Sequence, residues 1–118
     1  MMLFGLSLTL LFNAIAQVES DGGVTSSNVY QLQNVYIDDV NRIYNLNLSY
    51  NVKFDKKLSE KTMWLYWKYY GERYTANTGR PVTYEVLARI HYGGPSGYKR
   101  FSAQKYWERV SSHLKENK

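Results

Sequence analysis

The chain has 118 residues, 44% of them hydrophobic and 21% charged, with a formal net charge of +5. That is enough for one domain around a single core, and nothing in it points to disorder. No cysteine occurs, which excludes a disulfide scaffold, a thiolate zinc site and a cysteine nucleophile.

Met1 to Ala16 carries no charged side chain, Leu3 to Phe12 is almost wholly apolar, and Ala14-Ile15-Ala16 has the small-x-small form of a signal-peptidase site. Two readings are open for residues 1–16: a signal peptide, or a first helix buried in the fold. The apolar run is too short to span a bilayer, which takes ~20 residues, so stable membrane insertion is not expected. Export would also make the glycosylation triplet Asn47-Leu48-Ser49 usable. Asp21-Gly22-Gly23 is a turn signal. Tyr30-Gln31-Leu32 reads as a short strand followed by a helical turn, and the asparagine-rich run 41–51 as irregular chain.

Ser59 is the expected cap of a helix to about Tyr70, with Glu60 in its first turn and Gly71 as its stop. Met63, Trp64, Trp67 and Tyr70 recur at helical spacing, as an apolar core stripe does; a carbohydrate-stacking face is the other reading. After a connecting loop over 76–81, Thr83 caps a second helix carrying Val86, Leu87 and Ile90, closed by Gly93, Gly94 and Pro95. Ser102 caps a third, whose Ala103, Tyr106, Trp107, Val110 and Leu114 follow the amphipathic pattern.

Twelve tyrosines stand out; each combines a large ring with a polar tip, which suits shallow cores and sugar- or protein-binding surfaces. The positive balance draws the chain to polyanions, but Lys56-Lys57 and Lys99-Arg100 are its only basic pairs, as on an ordinary mixed-charge surface. No aromatic-plus-basic signature of a nucleic-acid binder is present. The two histidines, His91 and His113, lie far apart in sequence and predict no metal site. His91 stands at a helix end before three glycines, either lining a site or holding the following loop by bonding a carbonyl. Glu19 follows Ile15, Ala16 and Val18. It is either an exposed residue beyond a cleaved leader or a carboxyl against apolar walls, the setting in which an acid keeps its proton for general acid catalysis.

Ala88-Arg89-Ile90-His91-Tyr92-Gly93-Gly94-Pro95-Ser96-Gly97, followed by Tyr106-Trp107, resembles the C-terminal part of the invertebrate-type lysozymes, the destabilase family. Val18-Glu19-Ser20, Tyr30-Gln31-Leu32, Tyr36-Ile37-Asp38 and Tyr69 to Tyr74 are similar to further segments of that family. The resemblance implies a small, mainly helical α+β domain over 17–118, secreted and monomeric. It would cleave the β-1,4 glycosidic bond of bacterial cell-wall peptidoglycan without cofactor or metal. Glu19 is then the catalytic acid and Asp21 the second carboxylate, with Tyr30, Gln31, His91 and Tyr92 against the substrate.

This sequence departs from the family in having no half-cystines; Tyr84 and Tyr98 stand where two would be expected. It also has a short segment between Glu19 and Tyr30, with Asp21 as its sole carboxylate. Residues two apart do not share a helix face, so Asp21 can assist only if the helix stops at Ser20. Asp38 is the fallback. A lysozyme fold that binds without catalysis is the alternative, and envelope disruption by charge alone a third reading.

Overall fold

The computed structural model describes residues 1–116. Among the described residues five helices carry the fold, α1 (Thr9–Ser20), α2 (Asn34–Tyr44), α3 (Lys56–Thr78), α4 (Tyr84–Gly93) and α5 (Ser102–Glu116), with one two-stranded hairpin, β1 (Met2–Leu3) and β2 (Leu6–Ser7). It is a mainly helical α+β domain, as the sequence leads one to expect. Helices α1, α4 and α5 pack together, α2 packs on α3, and the α3–α4 contact joins the two groups.

The apolar N-terminal run supplies the hairpin and α1. Phe4 and Gly5 both have positive φ, the requirement of a tight hairpin turn. Leu3, Leu8, Leu11, Phe12, Ala14, Ile15 and Ala16 are buried in the core. Helix α1 ends where Asp21 turns left-handed and donates its N–H to the Gln17 carbonyl, followed by Gly22 to that of Ala16. The Asp-Gly-Gly turn signal thus marks a helix stop.

Residues 30–32 form no strand. Asn28 takes the Leu32 N–H on Oδ1 and gives Nδ2–H to the Leu32 carbonyl, occupying the backbone groups a strand would pair. Gln31 between them is left-handed, φ 54°. Nor is 41–51 wholly irregular: α2 runs on to Tyr44, and Asn41 clamps the next loop by bonding both backbone groups of Leu48.

Helix α3 is longer than its sequence signals indicate at both ends. Asp55, not Ser59, caps it by accepting the Leu58 N–H, which places Glu60 beyond the first turn. Ser59 is buried and donates to the Val52 carbonyl in a 3₁₀ turn, Tyr50–Phe54. Gly71 does not end the helix; the stop is left-handed Gly79, so residues 76–78 are helical. A Cβ at Gly71 would come within 2.5 Å of the Phe4 ring, so this glycine makes room for the hairpin. Met63, Trp67 and Tyr70 are core residues, while Trp64 sits at the core's edge and donates its indole N–H to Met2 O.

Helix α4 follows expectation. Thr83 accepts the Val86 N–H, and Gly94 closes the end with φ 82°. Gly97 then lies on α4's last turn, where a Cβ would meet the Arg89 carbonyl oxygen at 2.0 Å, an approach that a glycine alone permits. Along α5, Ala103, Tyr106 and Val110 are buried and Trp107 and Leu114 half-buried. Tyr84 donates to Ser7 O, and Tyr98 packs edge-on against Tyr74, so both tyrosines make tertiary contacts.

Candidate functional site

A cleft of about 1270 Å³ is lined from both helix groups. Glu19 enters it from the last turn of α1, His91, Tyr92 and Gly93 from the end of α4, and Gly94 and Pro95 from the turn beyond. The 31–33 loop supplies another part of the lining, and Asp38, Asp39 and Arg42 come from α2. Tyr66 and Tyr70 of α3 and Lys53 of the 3₁₀ turn complete the chemically active lining.

The Glu19 side chain is 20% exposed. Its Oε2 accepts the Tyr106 hydroxyl at 3.0 Å and lies 3.5 Å from His91 Nε2. Burial first, and then the neighbouring Glu19 charge, push the Tyr106 phenol well above its usual range. It therefore remains a hydrogen-bond donor throughout neutral pH. Tyr106 is itself held by stacking on Tyr92, centroids 4.6 Å apart. Glu19 is thus fixed in angle by two helices remote from it in sequence, while one edge meets the cleft.

His91 is buried, with a polar partner at each ring nitrogen. Nε2 lies 3.0 Å from the Tyr30 carbonyl, which can only accept, so Nε2 carries hydrogen. Nδ1 is 3.4 Å from the Tyr36 hydroxyl. Burial holds the Tyr36 phenol well above its ordinary value, so that hydroxyl stays protonated beside the ring. The histidine does bond a carbonyl, as one reading of the sequence held, but that of the loop at Tyr30 rather than the glycine turn after it. It joins α4, α2 and the 30–32 loop beside Glu19.

The other expected site residues divide. Gln31 and Tyr92 line the cleft, Tyr92 at 52% exposure. Tyr30 is buried and offers its carbonyl to His91; its hydroxyl points elsewhere, to Glu60. Asp21 is exposed on the left-handed cap of α1, outside the cleft lining. The helix does stop at Ser20, but that does not bring Asp21 into the cleft.

Two aspartates of α2 are there instead. Asp39 is engaged by both Arg42 and the Tyr70 hydroxyl. Burial and that bond push the Tyr70 phenol up to about 12. Asp38 accepts the Tyr50 hydroxyl on Oδ1 at 2.8 Å. Tyr106, Tyr36, Asp39 and Lys53 are the site residues that sequence reasoning passed over. The Asp39–Arg42 spacing of three on a helix was a usable signal, whereas the Tyr106–Glu19 bond crosses 87 positions and had none. Among the described residues, no group of three or more His, Asp or Glu side chains is placed to hold a metal ion. No described helix is long and apolar enough to cross a membrane.

Comparison with known proteins gives one short likeness. Over 41 residues the chain is 46% identical to a protein named lysozyme from Magallana gigas. The match covers 35% of this chain, and it spans 30% of that protein's length. No family model matches, and no solved structure matches.

Proposed function

We propose that this protein is a lysozyme-like glycoside hydrolase that cleaves the β-1,4 bond of bacterial peptidoglycan outside the cell. The observation that carries the reading is the Glu19 carboxyl, which accepts the Tyr106 hydroxyl on Oε2, 3.5 Å from His91 Nε2, at the edge of a cleft. The 41-residue likeness to a lysozyme supports it.

In the proposed reaction Glu19 is the general acid. Oε1, to which no described residue donates, carries the proton to the glycosidic oxygen as the bond breaks. Cleavage leaves an oxocarbenium-like sugar that needs a second carboxylate, ~5–5.5 Å from the first for a covalent intermediate or ~6.5–9.5 Å when a water attacks. Asp38 takes that role, because Asp39 already has both oxygens engaged by Arg42 and Tyr70. Gln31 and His91 border the bound sugar, Tyr92 presents a ring face to it, and the net positive charge steers the protein to anionic walls.

The exposed position of Asp21 favours a second reading, a lysozyme-like fold that binds glycan without cutting it. Clearing of a bacterial cell-wall suspension separates the possibilities. Clearing by the unmodified protein and its loss in Glu19→Gln is the expected result. No clearing by the unmodified protein would favour binding alone, and clearing that survives Glu19→Gln would favour disruption by charge.

A further inference from the structure

Lys53 is a basic cleft residue that the reaction above does not use. Its Nζ donates to Asn34 Oδ1, a neutral amide, and lies 5.9 Å from the ring centroids of both Tyr50 and Phe54. Those rings are roughly half exposed and hold the ammonium by cation–π attraction. Among the described residues no carboxylate lies within ion-pair distance of Lys53, whereas Arg42, the other basic residue of the lining, is paired with Asp39. The three carboxylates of the cleft, Glu19, Asp38 and Asp39, oppose a bound anion. An acidic ligand therefore gains attraction in this cleft only where its charge reaches Lys53.

We propose that Lys53 is a specificity residue, binding a carboxylate carried on the side chains of the glycan so that the cleft prefers an acidic glycan to a neutral one of equal length. This rests on the glycan-cleaving reading above. The carboxylate is either the lactyl acid of a peptide-free muramic sugar or an acid of the peptide attached there. Tyr50 and Phe54 fix the position of the ammonium, and the exposed Val35 beside Asn34 gives the substituent an apolar surface to lie on.

Calorimetric titration of full-length Glu19→Gln, which removes the acid and with it hydrolysis, tests this. Three ligands are used: a neutral tetramer of N-acetylglucosamine, a peptide-free tetrasaccharide alternating N-acetylglucosamine with N-acetylmuramic acid, and the same glycan bearing its peptide. Glu19→Gln should bind at least one acidic ligand about fivefold more tightly than the neutral one, as a partly exposed ion pair permits. The ligand showing the gain identifies the carboxylate.

Adding Lys53→Met, which retains a flexible apolar stem, should bring the ratio of acidic to neutral affinity to about one; Lys53→Arg should preserve it. Raising ionic strength should erode it. A ratio unchanged by Lys53→Met overturns the role of Lys53 while leaving glycan binding intact, as does equal binding of all three ligands by Glu19→Gln. Failure of every glycan to bind overturns both this inference and the reading it rests on.

Discussion

In the proposed reaction the Tyr106 hydroxyl is the group that turns a helix-end glutamate into a positioned acid. Tyr106→Phe retains the ring stacked on Tyr92 but removes the donor to Glu19. A hydrogen bond to a charged group contributes about 1.5–3 kcal/mol, so the melting temperature should fall by several degrees, and cell-wall clearing measured where the variant is fully folded should fall at least tenfold. A rate equal to that of the unmodified protein would remove Tyr106 from the site. Asp38→Asn should reduce clearing more than tenfold, whereas Asp21→Asn should leave it within about twofold; the reverse order would restore the sequence-based choice of second carboxylate. Glu19 was legible because an apolar run leads directly into it. Asp21 is the choice that the resemblance implies, as the sole carboxylate between Glu19 and Tyr30. What decides between it and Asp38 is the left-handed turn at residue 21 and the packing of α2 beside the cleft, and neither is a local property.

Elements were legible where the end signal was local and misread where a glycine or a polar side chain answered to a distant segment. Thr83 and Gly94 bound α4 as read, because cap and stop act within one turn. Gly71 reads locally as a stop, yet it answers to Phe4, 67 positions earlier in the chain. The supposed strand at 30–32 fails because Asn28 supplies its backbone partners. Gly97 is the most constrained of the glycine-rich turn. Gly97→Ala would drive a methyl carbon onto the Arg89 carbonyl, and the backbone at either side would have to move. The expected cost is about 1–3 kcal/mol, as for other overpacked sites, read as a drop in denaturant midpoint. A neutral Gly97→Ala would mean that the turn does not seat on α4 in solution.

Across the whole molecule, tyrosines make several of the contacts that hold distant segments together: Tyr84 to Ser7, Tyr98 on Tyr74, Tyr106 to Glu19 and Tyr30 to Glu60. Tyr30, Tyr36, Tyr66, Tyr70 and Tyr106 all have phenols raised above the ordinary value of 10.0, with burial the first cause in each. A raised folded-state value means that the native state holds protons the unfolded chain has lost. The stabilisation is therefore complete below pH ~10 and declines as pH rises through the folded values, with Tyr70 following at about 12. Melting temperature should fall steeply above pH ~10, and tyrosinate absorbance should rise together with unfolding; noncooperative titration at about pH 10 with the fold intact would contradict the buried network.

The N-terminal run belongs to the same account. Leu8, Leu11 and Ile15 are wholly buried, and Glu19 rides on the helix they anchor. We propose that α1 is part of the working protein, so a chain beginning at Gln17 should be unfolded by circular dichroism; a folded, active product would show that α1 is dispensable. The proposed reaction depends on one proton donor. The decisive measurement is the appearance of new reducing ends when borohydride-reduced peptidoglycan is incubated with the unmodified protein and with Glu19→Gln, the two matched in melting temperature. The account predicts steady release by the first and at least a hundredfold less by the second, about 2.7 kcal/mol or more in barrier height. Equal release by both, or none by the unmodified protein, would contradict it.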